Sequence, residues 1–306
     1  MDYELAIIGA GPAGFSAAIY AKRSGISTIV FDRGSGGGLL QLAPNIENFV
    51  GFISIPGIDL VEKMKQHASK YADFHFYEEV KEVNPSSTGF LIKTEKASYK
   101  VGAVILCTGT EHKKLEVPGE SEFIGKGVSY CATCDGFFFK GKRVVVVGGG
   151  NTALMESIFL KQLGCKEVTV VHRRDQFRAE KIYEEEAREK GVHFLFNTIV
   201  EEIRGKENVS SVSLFNLETT ARSSLPVEGV FASVGVLPQN QIAKALHLKT
   251  NEDGYIVVDS EQRTSVRGLY AAGDITGGLR QVITACAKGA VAALSSTEVL
   301  GKKYPY

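Results

Sequence analysis

Two cysteines separated by two residues, Cys131-Ala132-Thr133-Cys134, carry the plainest chemistry in this chain. That spacing lets two thiols close a small disulfide ring and reopen it, which is redox chemistry. The same pair is also half of a zinc site, or two inert thiols. Zinc needs four ligands, and the sequence holds no second paired Cys or His motif, so no metal site is expected. Asp135 follows the pair and is a candidate proton donor or acceptor for thiolate chemistry; the plainer reading is a turn residue before Gly136. The other cysteines are isolated. Cys107 ends an apolar run, Cys165 sits in a turn and Cys286 falls in the last helical stretch, all reading as packing residues. Five cysteines in all are too few and too scattered for a secreted disulfide framework. His67, His75, His112, His193 and His247 show no ligand spacing. Phe137-Phe138-Phe139 reads as core, or as an apolar docking surface beside the redox pair.

Glycine turns form the second constellation. Gly9-Ala10-Gly11-Pro12-Ala13-Gly14 follows the apolar run Leu5–Ile8, opens a helical stretch and precedes Asp32 by about the spacing of a dinucleotide-binding unit. In such a unit Gly9 makes the tight turn, Gly11 lets a pyrophosphate approach the backbone, and Gly14 lets helix and strand pack closely. The helix N-terminus then faces the phosphates with its partial positive charge, and Asp32 accepts hydrogen bonds from ribose hydroxyls. Gly148-Gly149-Gly150-Asn151-Thr152-Ala153 repeats the pattern after Val144–Val147. There the second strand ends in His172-Arg173-Arg174, with Arg178 one turn on, instead of an acid. A cluster of arginines binds a 2′-phosphate bidentately where an acid would repel it. The first turn is therefore expected to take a nucleotide with a free ribose, and the second to take NADPH.

The elements that position these residues recur. Gly9 precedes Asp32 by 23 positions and Gly148 precedes His172 by 24, so one strand–turn–helix–strand unit occurs twice. Ala103–Gly109 and Gly229–Gly235 are matching strands that end in glycine turns. They lie closer together than the two fingerprints do, so the first unit carries an insertion, placed at Gly34–Phe52. The last part of the chain has no fingerprint; it offers strands at Tyr255–Val258 and Gly268–Ala272, then Gly273-Asp274 and a helix from Gln281 to Leu300. The expected fold is α/β, with two doubly wound Rossmann-like nucleotide-binding domains, the second inserted into the first. Residues 1–112 with 240–306 form the first domain and 113–239 the second, with hinge candidates at Glu111–Pro118 and Val234–Gln239.

Composition narrows the function classes. A chain of 306 residues has room for two cores. With 35 basic and 35 acidic side chains, it lacks the field of a general nucleic-acid or anionic-membrane binder. No unbroken apolar run of membrane-spanning length is present, and Met1-Asp2-Tyr3-Glu4 does not read as a signal peptide. A cytoplasmic location is expected. Glycine, 33 of the 306 residues, is well above the usual share of roughly 7%, which fits many tight backbone turns.

Taken together, these motifs resemble the low-molecular-weight thioredoxin reductases over essentially the whole chain. The resemblance rests on their succession: Gly9, Gly11 and Gly14; Cys131 to Gly136; Gly148 to Ala153; His172, Arg173, Arg174 and Arg178; Gly273-Asp274; and Arg280-Gln281. It implies FAD in the first domain, with contacts at Gly9, Gly11, Pro12, Ala13, Gly14, Asp32, Gly38, Leu40, Asn48, Thr108, Gly109, Gly273, Asp274, Arg280, Gln281 and Val282. It implies NADPH in the second, at Gly148, Gly150, Asn151, Thr152, His172, Arg173, Arg174 and Arg178. Electrons would pass from NADPH through FAD to a Cys131–Cys134 disulfide, and then to the disulfide of thioredoxin or a glutaredoxin-like protein. Cys134 would face the flavin, Cys131 would attack the partner, and Asp135 would manage the protons. The resemblance further implies a homodimer and rotation about the two crossings between half-reactions. Two positions depart from the family pattern: Leu39, where the family has Gln, and Met155, where it has an acid. A flavin-dependent oxidase of small dithiols and a flavin redox sensor without turnover are the alternatives.

Overall fold

The computed structural model describes residues 1–43 and 45–303. The chain forms two compact units: Met1–Gln41, Ile46–Glu111 and Leu237–Tyr306 make the first, and His112–Val236 with Leu42–Asn45 the second.

The first unit is built on a parallel sheet of β3 (Asp73–His75), β2 (Thr28–Phe31), β1 (Tyr3–Ile8) and β6 (Ser98–Leu106), in that order. β1 and β2 end in four consecutive buried residues each, the pattern of strands covered on both faces. Their register sets Leu5 opposite Thr28 on one side and Ala103 on the other. β17 (Leu269–Ala271) joins the far half of β6 in parallel, while β4 (Val80–Ser86) and β5 (Gly89–Thr94) extend its near half as an antiparallel meander. Helix α1 (Pro12–Arg23) starts with Pro at its first position and ends on Lys22 and Arg23, both matched to helix polarity. α2 (Gly57–Ala68), α6 (Gln241–Ala245) and α7 (Val282–Val299) complete the unit.

The second unit repeats the plan. Its parallel sheet runs β11 (His193–Leu195), β10 (Glu167–Val171), β9 (Arg143–Val147), β15 (Gly229–Ala232), β8 (Val128–Ser129). The order β11-β10-β9-β15 is that of β3-β2-β1-β6, so the repeat read from the glycine turns holds in the topology. α3 (Ala132–Asp135), α4 (Asn151–Gln162) and α5 (Lys181–Glu189) belong here, with an antiparallel sheet of β12 (Thr198–Gly205), β13 (Val209–Asn216) and β14 (Arg222–Pro226). β2 ends at Phe31 and α2 begins at Gly57, whereas β10 ends at Val171 and α5 begins at Lys181. The extra length of the first unit therefore lies where Gly34–Phe52 was expected to place it. The chain crosses between units at β7 (Thr110–His112) and β16 (Val236–Pro238), which pair as a two-stranded sheet.

One expectation needs correction. Tyr255–Val258 is not a strand: only Ile256 makes an isolated bridge, to Thr250. The Ile256 N–H goes to Ile275 O and the Val257 N–H to Lys249 O, so neighbouring donors face different segments and no ladder forms. Among the described helices, α7 is long and apolar enough by length and composition to cross a membrane, with a mean hydropathy of 1.2. Lys288 and Glu298 break that run, and its Ala285, Gly289, Ala292, Ala293 and Ser296 are buried. A Cβ on Gly289 would lie 2.1 Å from the Ala13 carbonyl oxygen, so α7 packs tightly on α1 as a core helix.

Candidate active site: two phosphate turns and a dithiol

In the first unit the turn between β1 and α1 is shaped by its glycines. Gly9 sits at φ +108°, where an L side chain is strained, and a Cβ there would strike Cys107 O at 2.2 Å. A Cβ on Gly14 would lie 1.9 Å from Gly9 O, which is the close helix–strand approach the motif requires. At Gly11 the space is open: nothing lies within 4 Å of where a Cβ would be. Gly11 is the N-cap of α1 and offers no side-chain cap, so the first-turn N–H groups face that opening. A pyrophosphate fits such a cradle.

Asp32 is held rather than loose. Its Oδ2 accepts the Ala10 N–H at 2.8 Å and its Oδ1 the Gly34 N–H at 2.8 Å, which ties the end of β2 to the glycine turn. Each oxygen keeps a further lone pair for a ribose hydroxyl. Asn48 and Gln281, 233 positions apart, meet through Asn48 Nδ2 donating to Gln281 Oε1 at 3.0 Å. Gln281 also starts α7 with a capping box to Thr284. Arg280 donates to the Tyr255 hydroxyl at 3.1 Å. Thr108 Oγ1 donates to Gln239 O at 2.7 Å, and a Cβ on Gly109 would meet open space. Gly38 is exposed and Leu40 buried. Gln41, the near neighbour of the departing Leu39, turns back to bond Gly36 O and Ser35 and so closes its own loop.

Asp274 is half-buried next to Gly273, and desolvation pushes its carboxyl above the ordinary range, with the charges of Arg280 and Lys288 opposing the shift. Lys288 is a residue the sequence reading missed. Its ammonium donates to Thr276 Oγ1 at 2.8 Å and to Gly277 O at 2.7 Å, tying α7 to the loop after Asp274. A lone lysine in an apolar helix was the available signal.

In the second unit Gly150 caps α4 without a side-chain bond, and nothing lies within 4 Å of its missing Cβ. A Cβ on Gly148 would lie 2.4 Å from Ser233 O, and one on Gly149 would enter the His172 ring at 2.1 Å. His172 is thus packed under the turn; its Nε2 is buried without a partner. Burial lowers its basicity first, the backbone bond at Gln176 opposes this, and the charges of Arg174, Arg178 and Arg173 lower it further. These three arginines are exposed, and none forms an ion pair with a described residue. The Arg178 N–H donates to Gly149 O at 2.8 Å, which brings the cluster to the turn. Asn151 pairs with Glu180 through both its amide groups, fixing the start of α4; Thr152 is exposed. The donors fit a phosphorylated nucleotide at each turn.

Cys131 and Cys134 form a disulfide at the start of α3, with Cα atoms 5.3 Å apart. Cys131 is the N-cap of that turn and gives it no side-chain bond. Two outside residues support the turn instead: Ala132 N–H donates to Glu156 on α4 at 3.3 Å, and Cys131 N–H to Ser129 Oγ at 3.1 Å. Asp135 lies in the same turn. Burial raises its carboxyl above the usual range and a hydrogen bond from Ser129 opposes the rise. Phe139 is core, 5.1 Å from the Phe231 ring, whereas Phe137 is 61% exposed, so the aromatic run divides between core and surface. Cys107 and Cys165 are buried and Cys286 is half-buried; burial pushes Cys286 up to about 11, and all three remain free thiols. Among the described residues no cluster could hold a metal ion.

Two nucleotide turns on a duplicated α/β plan, with a disulfide in the second unit, define a nucleotide-dependent disulfide oxidoreductase. The chain belongs to the pyridine nucleotide-disulphide oxidoreductase family, whose model matches residues 3–289. Within it, the chain is 44% identical over 296 residues to thioredoxin reductase of Bacillus subtilis, covering 96% of this chain and 93% of that protein. It is 43% identical over 295 residues to thioredoxin reductase of Treponema pallidum, covering 95% of each. The crystal structure of thioredoxin reductase from Streptococcus pyogenes superposes with a TM-score of 0.93 at 39% identity, covering 98% of both chains. The protein is therefore an oxidoreductase of the thioredoxin reductase type, and its family implies both a flavin and a nicotinamide cofactor.

Proposed function

We propose that this protein carries electrons from NADPH, through FAD, to the disulfide of thioredoxin or a thioredoxin-like protein. The observation that carries the reading is the Cys131–Cys134 disulfide in one turn with the half-buried acid Asp135. When bound, the flavin supplies the conversion between a hydride, all that a nicotinamide can give, and the nucleophilic thiol chemistry of a disulfide.

The first domain as read from the sequence, residues 1–112 and 240–306, holds the FAD. Gly9, Gly11, Pro12, Ala13 and Gly14 present the N-terminus of α1 to the pyrophosphate, and Asp32 orients the ribose. Asn48, Thr108, Gly109, Gly273, Asp274, Arg280, Gln281 and Val282 line the remainder, with Gly38 and Leu40 from the inserted stretch. Residues 113–239 hold the NADPH: Gly148, Gly150, Asn151 and Thr152 at its pyrophosphate, and His172, Arg173, Arg174 and Arg178 at its 2′-phosphate. The arginines free of ion pairs favour this over oxygen-driven dithiol oxidation, which has no use for a 2′-phosphate site.

Cys131 attacks the partner disulfide as a thiolate, Cys134 resolves the mixed disulfide, and Asp135 moves the protons. Phe137, exposed beside the pair, offers the partner an apolar contact. A cytoplasmic homodimer completes the proposal. Cys131→Ser and Cys134→Ser each abolish NADPH-driven reduction of thioredoxin; steady-state rates retained in either variant would contradict the assignment.

A further inference from the structure

One hydroxyl holds both ends of the dithiol turn. Ser129 closes β8, where its register against β15 sets it opposite Phe231, and it is 5% exposed. Its Oγ accepts the Cys131 N–H at 3.1 Å and donates to Asp135 Oδ2 at 2.6 Å. The Cys131 carbonyl, 3.4 Å away, is the poorer acceptor for the same proton. The other carboxyl oxygen, Asp135 Oδ1, is buried without a partner. In a neutral carboxyl, the oxygen that accepts the Ser129 hydrogen bond is the carbonyl oxygen, and the proton sits on the other.

We infer that Ser129 is a positioning residue for the proton step of disulfide exchange: by occupying Oδ2 it directs the carboxyl proton to Oδ1, and it fixes nucleophile and acid to one point on the sheet. This deepens the reading above and rests on it. The Cys131 thiolate attacks one partner sulfur; a new S–S bond forms, the old one breaks, and the second partner sulfur leaves as a thiolate. That thiolate takes the Oδ1 proton and leaves Asp135 ionised. The Cys134 thiol returns a proton to Asp135 and attacks Cys131, restoring the internal disulfide and releasing the first partner sulfur as a thiolate. The two electrons gained by the partner are those of the reduced cysteine pair.

The ionisable groups around the turn are few. Glu156 approaches from α4 at Ala132, the Tyr130 hydroxyl is given to Glu120 at 2.8 Å, and Gly136–Phe139 brings none. Burial raises the Asp135 carboxyl and the Ser129 bond opposes it, so loss of the hydroxyl moves the carboxyl further up.

The test uses the full-length holoenzyme, reduced beforehand and freed of reductant, mixed with two disulfides. The disulfide of nitrothiobenzoate releases a thiolate that needs no proton, whereas oxidised glutathione releases an alkyl thiolate that does. Ser129→Ala lowers the glutathione rate about tenfold, as for one lost hydrogen bond to a charged group, and leaves the aromatic rate within about twofold. The high-pH fall of the glutathione rate moves to higher pH, and Ser129→Thr, which keeps the hydroxyl, restores the wild-type profile. Equal losses with both disulfides and an unmoved pH profile would reduce Ser129 to a backbone support and overturn the inference, as would unchanged rates with both. A reduced wild-type chain that reacts with neither disulfide nor with oxidised thioredoxin would instead overturn the dithiol reading itself.

Discussion

Arg173, Arg174 and Arg178 show how much a few side chains decide. They stand exposed around the end of β10, without an ion pair among the described residues, where the first unit has Asp32. A guanidinium matched to a phosphate makes bidentate, charge-assisted bonds that a free ribose cannot offer. Arg173→Ala and Arg174→Ala are each expected to raise KM for NADPH about tenfold while leaving that for NADH nearly unchanged. Steady-state kinetics with both nucleotides checks this. Asp135 makes a second claim at this scale. Its folded carboxyl is raised by burial, so ionisation costs the folded state more than the unfolded one. That extra stability is whole below the ordinary carboxylate pKa of about 3.9 and is lost as pH climbs through the raised value. Asp135→Asn, which cannot ionise, should therefore gain in Tm relative to wild type between acid and neutral pH. Thermal melts across that range that stay parallel would contradict it. The chemistry of these residues was legible because type and spacing alone restrict it. The parts played by Ser129 and Lys288 were not, since a hydroxyl and an amine take their meaning from neighbours that only the fold supplies.

The elements were legible where the backbone has one way to satisfy itself. Val144–Val146 and Leu5–Ile8 are buried runs shortly before glycine turns, and both lie in central strands of parallel sheets. Tyr255–Val258 has the same β-branched composition yet forms no strand, because its donors are claimed by Ile275 and Lys249 on different segments. β12, β13 and β14 pair antiparallel, with register shifts between β12 and β13, and no fingerprint marks them. The α1–α7 crossing is an exacting contact between elements. Gly289 and Ala13 leave no room for even one methyl group at 2.1 Å. Gly289→Ala is expected to destabilise the protein by about 1–3 kcal/mol through overpacking, despite its better helix propensity. Chemical denaturation of the FAD-loaded protein measures it, and a stabilised variant would show that the helices can part.

At the scale of the molecule, the balanced charge takes on a local meaning. The 35 basic and 35 acidic groups leave no bulk field, yet a small positive cluster is set at one turn of the second unit. The duplicated plan offers two nucleotide turns, and the feature of the second unit without a counterpart in the first is the dithiol. Met155, a departure from the family pattern, is 50% exposed on α4. The central claim is that electrons from NADPH come to rest on Cys131–Cys134. An anaerobic NADPH titration of the purified holoenzyme, followed at the flavin absorbance band, tests it most directly against Cys134→Ser. Wild type should consume more NADPH than its flavin accounts for, the excess equal to one disulfide, whereas Cys134→Ser should consume only what its flavin takes. Identical end points for the two proteins would contradict the account.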